Sequence, residues 1–353
     1  MKNDINLGET IGMDLSDKTA LYVVIDQDGE VIEERRLSLS RGAVDRVFGA
    51  KTPCRIAIEV GTHSPWVSRA LADLGYEVIV ANAREVKLIA HSKKKNDHED
   101  ALLLARLARL DPRLLRPLQH RGEQAQVDLA RLRSRRQLVE TRTRLITSVR
   151  GQVKATGLRL PKCSAKSFAA KAGALLPREL QPALEPMLRV IAQVTEQIDA
   201  MTRDLEHLAD ERYPETRVLR QVKGVGIVCA LTFVLTLEEP GRFRRSRSVG
   251  SYLGLTARQR DSGEQKPQLR ITKAGDAVLR SLLVQSAHYI LGRYGEDCEL
   301  RRWGLKLAGT GSKLQKKKAV VAVARKLGVL LHHLWQTGEV YEPLRQTQLS
   351  RAA

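Results

Sequence analysis

Residues 11–81 alternate between short apolar runs and polar turns, which is the pattern of an α/β domain. The apolar runs predict five strands: Ile11–Asp14, Ala20–Ile25, Val31–Leu39, Arg55–Val60 and Glu77–Ala81. The second and third strands form a hairpin, because the Asp-Gly pair at 28–29 favours a tight turn. A helix is expected over 64–74, with Ser64 as its N-cap and Pro65 at its first position.

The order of these elements predicts the fold of the N-terminal segment. Three strands of antiparallel type, followed by alternating helices and strands, are typical of an RNase H-like fold. In that fold the first and fourth strands are neighbours at the centre of the sheet. Asp14 on the first strand and Glu59 on the fourth would then lie side by side. An acid that ends an apolar strand is costly to bury unless something pairs with it.

Asp97 and Asp100 stand three residues apart at the start of a predicted helix, so their carboxylates point the same way. Two close carboxylates repel each other unless a cation lies between them, as in sites for hard metals such as Mg²⁺. With Asp14 and Glu59 they form a candidate set of four acids for two-metal chemistry on phosphodiesters. The alternative is that Asp97 is an N-cap and Asp100 a first-turn acid favoured by the helix dipole. The two residues between them differ in helical angle and are expected to face solvent: His98 and Glu99.

The sequence pattern in the middle of the chain predicts long helices. Residues 123–154 form a basic helix with an apolar stripe, whose arginines either follow a phosphate backbone or form a solvated face. These arginines are Arg131, Arg133, Arg135, Arg136, Arg142, Arg144 and Arg150. Residues 157–182 contain three prolines and are interpreted as a connector. A heptad seam follows, which indicates either a coiled coil with another helix or subunit, or core packing within one domain. Its positions are Met187, Ile191, Val194, Ile198, Met201, Leu205 and Leu208.

A glycine-containing turn, Lys223-Gly224-Val225-Gly226, lies between two predicted helices, the second being the apolar IVCALTFVL. This is the pattern of a helix-hairpin-helix motif, in which glycines let the backbone approach a phosphate. Lys223, Gly224 and Gly226 are therefore candidate nucleic-acid contacts. A basic amphipathic helix over 313–331 closes the segment.

Ser262 lies in a turn among basic side chains that are suited to clamp a phosphate: Arg258, Arg260, Arg270 and Lys273. Ser262 is a candidate nucleophile towards phosphorus if these cations stabilise the alkoxide and the transferring phosphoryl group. Asp261 and Glu264 are the only local acids, and neither can be assigned as its base. The alternative serines nearby are Ser246, Ser248, Ser251 and Ser281.

Charge and composition favour a nucleic-acid partner. The 353 residues include 60 Lys and Arg against 40 Asp and Glu, which gives a formal net charge of +20. A basic excess spread along the whole chain points to nucleic acid or another polyanion. The four cysteines form no CxxC pair, which argues against a zinc site or a disulfide scaffold and favours a reducing cytosol. No signal peptide and no membrane span is predicted, so a cytoplasmic protein is expected.

Several motifs spread over nearly the whole chain resemble one family. They are GMDLS at 12–16, AIEVGTHSPWV at 57–67, NDHEDALLLARL at 96–107, KGVGIVCAL at 223–231, and GSYLGLTARQRDSG through ITKAGDAVLR at 250–280. Together they resemble the DEDD-type insertion-sequence transposases of the IS one-ten family, which are related to the Piv invertases. One departure is Ala257, where relatives often have proline, and it bears on the rigidity of the serine loop.

The resemblance implies a RuvC-like nuclease domain over 1–112, a basic helical and coiled-coil connector over 113–215, a mainly helical transposase domain over 216–345 and a tail at 346–353. It implies that the four acids bind Mg²⁺, with Mn²⁺ as a substitute, and that Ser262 forms a covalent 5′-phosphoserine link to DNA in a composite site. It also implies a structured guide RNA and a homodimer or homotetramer, associated with the bacterial nucleoid.

Two other functions stay open on the residues alone. A metal-dependent nuclease of the Holliday-junction-resolvase kind needs only the four acids and uses water as its nucleophile, so it leaves no covalent protein–DNA adduct. A non-catalytic nucleic-acid-binding protein would use the glycine turn and the basic helices, and it would tolerate loss of Asp14 or Asp97.

Overall fold

The structure, a computed structural model, describes residues 6–82, 96–260, 262, 267 and 269–344. The chain divides into two compact units, Met1–Gly122 and Glu123–Ala353. The expected connector over 113–215 and the transposase domain over 216–345 are not separated by this division, and the three-part organisation stays a prediction. The expected tail at 346–353 lies outside the described residues.

A mixed five-stranded sheet forms the centre of the first unit. Its strands are β1 (Asn6–Leu15), β2 (Thr19–Ile25), β3 (Val31–Ser38), β4 (Cys54–Glu59) and β5 (Glu77–Ala81). They lie in the order β3-β2-β1-β4-β5. β2 is antiparallel to β1 and β3, whereas β4 is parallel to β1 and β5. The five predicted strands, the hairpin and the α/β class are confirmed, and the RuvC-like assignment stays a prediction.

Helices cover both faces of this sheet. On one face, α1 (Arg41–Phe48) and α2 (Ser64–Asp73) pack over the odd-numbered residues of β1, and the Phe48 ring lies 5.2 Å from that of Tyr22. On the other face lies α3 (Asp97–Leu110), which packs on β1, β2 and β4. The expected N-cap of α2 is off by one residue. His63 is the N-cap, and the Ser64 hydroxyl instead bonds the backbone N–H and carbonyl of Gly61.

Gly12 is where α3 approaches β1 most closely. A Cβ built on Gly12 would lie 1.9 Å from the carbonyl oxygen of Ala101 and 2.5 Å from the amide nitrogen of Ala105. Both alanines are fully buried. Glycine on the strand and alanines on the helix therefore let the two backbones touch, which fixes where α3 crosses the sheet.

The second unit begins with two long helices packed side by side, α4 (Glu123–Ala155) and α6 (Gln181–Arg212), joined through the short α5 (Phe168–Gly173). The basic helix predicted over 123–154 is confirmed. The connector expected over 157–182 ends slightly earlier, because α6 starts at Gln181 with Pro182 in its first turn. Apolar clusters close both ends of the pair, one around Leu129 and Leu205 and the other around Val149 and Ile191.

The heptad seam of α6 is partly shifted from its predicted positions. Ile191, Ile198 and Leu205 are buried as expected, as is Leu208. Two buried positions lie one residue later than predicted: Leu188 and Thr195 in place of the half-buried Met187 and Val194. The predicted Met201 is also only half-buried. Within the chain, the partner of this seam is α4.

The remainder of the second unit is mainly helical, as predicted. Its helices are α7 (Thr216–Arg220), α8 (Ile227–Leu237), α9 (Arg247–Tyr252), α10 (Ala277–Leu291), α11 (Glu299–Ala308) and α12 (Lys313–Thr337). The apolar α8 is buried in a core shared with α10 and α12. Across the described ranges, no helix is long and apolar enough to cross a membrane. All four cysteines are free thiols.

Candidate functional site

Asp14 and Glu59 end two neighbouring parallel strands at the centre of the sheet. β1 and β4 are paired with Gly12 beside Ala57 and Met13 beside Ile58. One step further along both strands come Asp14 and Glu59, so the same register sets these two acids side by side. Each lies two residues after a small residue, Gly12 or Ala57, that faces α3. Because side chains alternate along a strand, both carboxylates extend from the α3 face of the sheet.

Asp97 and Asp100 occupy the first turn of α3. The helix is capped by Asn96, whose side-chain oxygen accepts a hydrogen bond of 3.1 Å from the His98 amide. The alternative interpretation of Asp97 as the N-cap is therefore wrong. Asp100 lies one turn before Leu104, which packs with Ala57 of β4. Asp100 thus lies on the side of α3 that leads towards β4 and Glu59.

Two side chains of β3 reach the first turn of α3. Arg36 Nη2 donates a hydrogen bond of 3.0 Å to Asp97 Oδ2, and Glu34 Oε2 lies 3.1 Å from His98 Nδ1. His98 was expected to face solvent, but its side chain is only 29% exposed, because it packs over Glu34. Glu99 is exposed as expected. These two pairs attach the start of α3 to the edge of the sheet.

Arg36 belongs to the same row of the sheet as Asp14. Leu21 of β2 pairs with Asp14 on one side and with Arg36 on the other. Directly opposed residues project to the same face, so Arg36 supplies a positive charge on the face that carries the acids. Sequence reasoning missed Arg36, since nothing in the sequence links it to a residue 61 positions away.

The donor set fits a hard divalent cation in its chemistry and its backbone placement. Carboxylate oxygens are the ligands that Mg²⁺ prefers, and two strand ends and one helix start supply them on one face of the sheet. The side chains are not gathered as ligands: within the described residues, no group of three or more His, Cys, Asp or Glu is arranged to hold a metal ion. Mg²⁺ and Mn²⁺ therefore stay predictions.

Ser262 lies on an exposed loop whose base is a short antiparallel pairing. Ala257 bridges to Ile271, and the Arg258 amide donates a hydrogen bond of 2.9 Å to the Arg270 carbonyl. Arg258 and Arg270 are therefore neighbours at the base of the loop, and both are exposed. The pairing holds one end of the loop at Ala257.

Arg260 and Lys273 are the other two basic residues predicted to act with Ser262. Arg260 and Lys273 are exposed, and Lys273 has a positive φ of 56° while its amide donates to the Gly254 carbonyl. Asp261 and Glu264, the local acids, lie outside the described residues. Among its described residues, the loop thus combines one exposed hydroxyl with four exposed cations.

The glycine turn is confirmed between α7 and α8. Gly224 has a φ of 94°, and a Cβ there would lie 2.8 Å from Tyr289 Cδ1, so this position requires glycine. Gly226 is the N-cap of α8, and a Cβ on it would meet nothing within 4 Å. Lys223 is exposed and its Nζ lies 3.5 Å from Glu296 Oε1. The turn therefore has the open backbone and the cation that a phosphate contact needs.

The arginines of α4 serve partly in packing. Arg135 and Arg142 donate to the Thr202 and Thr195 hydroxyls of α6, at 2.8 Å and 3.3 Å. Arg150 donates to the Leu160 carbonyl at 3.0 Å. Arg135 and Arg142 therefore join the two helices of the hairpin, and Arg150 ties α4 to the segment that follows it, so only part of the predicted basic face is available for a phosphate backbone.

Two family models match the chain. The model for DEDD-type transposases matches residues 11–157, which include the four acids, and the model for transposases of the IS116/IS110/IS902 family matches residues 216–299, which include Ser262. A probable family 20 transposase of Pseudomonas aeruginosa is 26% identical over 94% of this chain and 98% of its own length. The transposase for insertion sequence element IS1111A of Coxiella burnetii is 27% identical, over 94% and 90%. That for IS1328 of Yersinia enterocolitica is 28% identical, over 80% and 84%.

The basic chain, the acids at the sheet centre and these matches define a transposase, an enzyme that cuts and rejoins DNA. Its relatives serve insertion sequences, and both models name the same group of elements. The chain belongs to the IS110 family of transposases.

Proposed function

We propose that this transposase cuts and rejoins DNA through a covalent phosphoserine intermediate, with the four acids acting on the same phosphodiester as Ser262. The observation that carries the proposal is the placement of Asp14 beside Glu59, with Asp97 and Asp100 brought to the same face by α3. We further propose that the first unit is RNase H-like and specifically RuvC-like, which its strand order supports.

Asp14, Glu59, Asp97 and Asp100 would hold Mg²⁺, or Mn²⁺ in its place. When bound, the metal supplies positive charge that stabilises the attacking and leaving oxygens. Before it binds, Arg36 offsets the charge of Asp97. The carboxylates therefore have a protein cation beside them, which lowers the repulsion that four acids on one face would otherwise feel.

Ser262 performs the covalent step. Its Oγ forms a bond to phosphorus while the bond from phosphorus to the 3′ oxygen breaks. The serine loses its proton and the leaving 3′ oxygen gains one, so protons balance over the step. The DNA stays attached through its 5′ phosphate, and attack by a 3′ hydroxyl on this linkage rejoins the strand. Arg258 and Arg270, neighbours at the loop base, stabilise the charge on the transferring phosphoryl group.

We also propose that the enzyme is guided by a structured RNA, acts as a homodimer or homotetramer, and works at the nucleoid, where its DNA is. Family membership and the net charge of +20 support these proposals. The arginines of α4 that take no part in the hairpin, such as the exposed Arg133 and Arg144, are suited to an RNA backbone.

The test is covalent trapping. Wild-type protein is incubated with labelled element-junction DNA, Mg²⁺ and its co-purified RNA, and then run on a denaturing gel. We expect a labelled protein–DNA band that disappears in the Ser262→Ala variant. The band should persist in the control variant Ser251→Ala, which removes another exposed serine of the same segment. In a parallel reaction the co-purified RNA is digested before the DNA is added, which tests whether the enzyme is guided by RNA.

Cleaved DNA without an adduct would instead identify a nuclease that uses water, and an adduct that survives in Ser262→Ala would exclude this serine. Metal binding is measured separately, by calorimetric titration of Mn²⁺ into wild type and Glu59→Gln. Loss of binding in the variant supports the acid set without any reference to activity.

A further inference from the structure

Two tyrosines form an exposed aromatic pair beside the glycine turn. Tyr289 is 43% exposed and Tyr294 is 65% exposed. Over the described part of the chain, they are the only aromatic side chains exposed to this degree. Aromatic rings are normally buried for their large apolar area, so two exposed rings five residues apart need a partner or a purpose.

The two tyrosines are related to the glycine turn in different ways. Tyr289 Cδ1 is the atom that a Cβ on Gly224 would strike, so this ring supports the turn directly. Tyr294 lies two residues before Glu296, whose carboxylate pairs with Lys223. Tyr289 is therefore in contact with the turn, and Tyr294 belongs to the segment whose Glu296 is paired with the lysine of the turn.

The segment that carries Tyr294 is held in a fixed shape. The Gly292 amide donates to the Tyr289 carbonyl at 3.1 Å, and Arg301 Nη1 donates to the Gly292 carbonyl at 2.6 Å. Arg293 lies over the Tyr294 ring, with Cζ 4.4 Å from its centroid. These hydrogen bonds tie the turn that precedes Tyr294, and a cation lies on one face of the exposed ring.

The charges around the pair suit a nucleic-acid strand. The two acids that follow Tyr294 are both paired, Glu296 with Lys223 and Asp297 with Arg302 at 2.6 Å. Arg293 supplies its charge on the ring itself. An exposed ring with an adjacent guanidinium is the combination that binds an unpaired base and its phosphate, whereas paired bases in a duplex do not offer their faces.

We propose that Tyr294, supported by Arg293 and Tyr289, stacks an unpaired base of a DNA strand whose phosphate meets the Lys223–Gly226 turn. This inference rests on the proposed function, because cutting and exchanging strands releases nucleotides from the duplex. Under this inference the Lys223–Gly226 turn binds single-stranded DNA, and Tyr294 is a residue that binds this DNA.

The experiment measures fluorescence anisotropy of full-length protein with labelled oligothymidylate, with the same strand carrying abasic sites, and with a duplex. Tyr294→Ala should weaken binding to oligothymidylate by about five- to a hundredfold, the range for loss of one stacked base. Tyr294→Phe keeps the ring and should bind as wild type does. Because Tyr294 is on the surface, Tyr294→Ala should keep the wild-type melting temperature, which is measured alongside.

The abasic strand isolates stacking from charge. Wild type and Tyr294→Ala should bind it equally, since there is no base to stack, and both should bind the duplex equally. Equal binding of oligothymidylate by the two proteins would overturn the inference, as would an equal loss on the abasic strand. A loss on oligouridylate but not on oligothymidylate would overturn the DNA assignment in favour of RNA.

The same variants in the trapping assay separate this inference from the proposed function. Adduct formation by wild type together with unchanged single-strand binding in Tyr294→Ala refutes only the stacking. Ring-dependent binding without any adduct refutes only the phosphoserine chemistry.

Discussion

The contact between Gly12 and α3 can be tested by adding a single methyl group to the strand. In Gly12→Ala the new Cβ would lie 1.9 Å from the Ala101 carbonyl oxygen and 2.5 Å from the Ala105 nitrogen. Both are backbone atoms, so no side-chain rotation relieves the overlap. A carbon–oxygen contact needs about 3.3 Å. The helix must therefore withdraw from β1 by about 1.4 Å at this point.

Two effects follow from that displacement. Overpacking of a tight core contact costs about 1–3 kcal/mol of stability. The displacement also carries the start of α3 away from Asp14 and Glu59, since Asp97 and Asp100 lie on the helix that moves. A misplacement of about 1 Å at a catalytic site costs roughly a hundredfold in rate. Gly12→Ala should therefore slow adduct formation by about that factor in protein that is still folded.

Hydrogen exchange followed by mass spectrometry locates the stability effect in the full chain. The amides of α3 and β1 should lose about 1–3 kcal/mol of protection in Gly12→Ala, whereas those of the second unit should be unchanged. Gly42→Ala is the matched control, because a Cβ at Gly42 meets nothing within 4 Å and the residue lies in α1. That variant should be neutral or more stable by about 0.4–1 kcal/mol.

Two results would refute the reasoning in different places. Wild-type protection of α3 in Gly12→Ala would mean that the helix does not touch β1 as described. Reduced protection with an unchanged rate of adduct formation would mean that α3 does not carry residues of the reacting site.

Three further predictions concern charge. Arg36→Gln removes the cation beside Asp97 and should tighten Mn²⁺ binding in a calorimetric titration; weaker metal binding would contradict this prediction. The stability of the variant should change little, because an exposed ion pair contributes only about 0–1 kcal/mol. Asp128→Asn removes a buried carboxylate that accepts hydrogen bonds from Arg212 and Tyr213, both at 2.8 Å, and should lower stability by about 1–3 kcal/mol in thermal unfolding; an unchanged melting temperature would contradict it. Burial lowers the pKa of His332, so its neutral form stabilises the fold above about pH 6.5 and this contribution is lost as the pH falls. The melting temperature of His332→Gln should therefore fall less steeply than that of wild type from about pH 7.5 to 5.5. An equally steep fall would show that His332 does not cause the loss of stability.

The sequence predicted the sheet well because apolar alternation and an Asp-Gly turn are local signals. The five strands and the hairpin follow from these signals, whereas the adjacency of Asp14 and Glu59 was expected from the strand order typical of an RNase H-like fold. The N-caps were each misplaced by one residue for a physical reason. Ser64 closes a turn on Gly61 instead of capping, and Asn96 caps α3 just before Asp97. In both places a good capping residue stands directly after the residue that is the N-cap, and the backbone geometry distinguishes the two.

The shifted heptad seam has a related cause. Thr195 and Thr202 belong to the buried side of α6, but as polar residues they do not enter an apolar pattern. Their hydroxyls donate to the carbonyls of Ile191 and Ile198, at 2.7 Å and 2.6 Å, and accept from arginines of α4. A pattern of apolar positions cannot reveal a seam whose middle layers are joined by hydrogen bonds.

Long-range pairs lie beyond any such pattern. The contact of Tyr289 with Gly224, like the pair of Arg36 and Asp97, joins residues that only the fold brings together. Glycine at 224 was predicted as a phosphate contact, whereas its φ of 94° and the ring beneath it show that it also makes room for Tyr289. The exposure of Tyr289 and Tyr294 was equally invisible, since burial depends on neighbours distant in sequence.

The positions of the four acids depend on two different kinds of contact, which has a consequence for how the site can work. Asp14 and Glu59 are held by the ladder between two central strands, which is rigid because both strands are buried. Asp97 and Asp100 are held by the packing of α3 on Gly12 and by two polar pairs with β3, Arg36 with Asp97 and Glu34 with His98. An exposed ion pair is weak, so under the proposed function the start of α3 would exchange Arg36 for a metal at small cost, while the strand acids stay in place. If the acids act as proposed, the helix start is therefore the adjustable half of the acid set, and the sheet is the half that would fix where the phosphate binds.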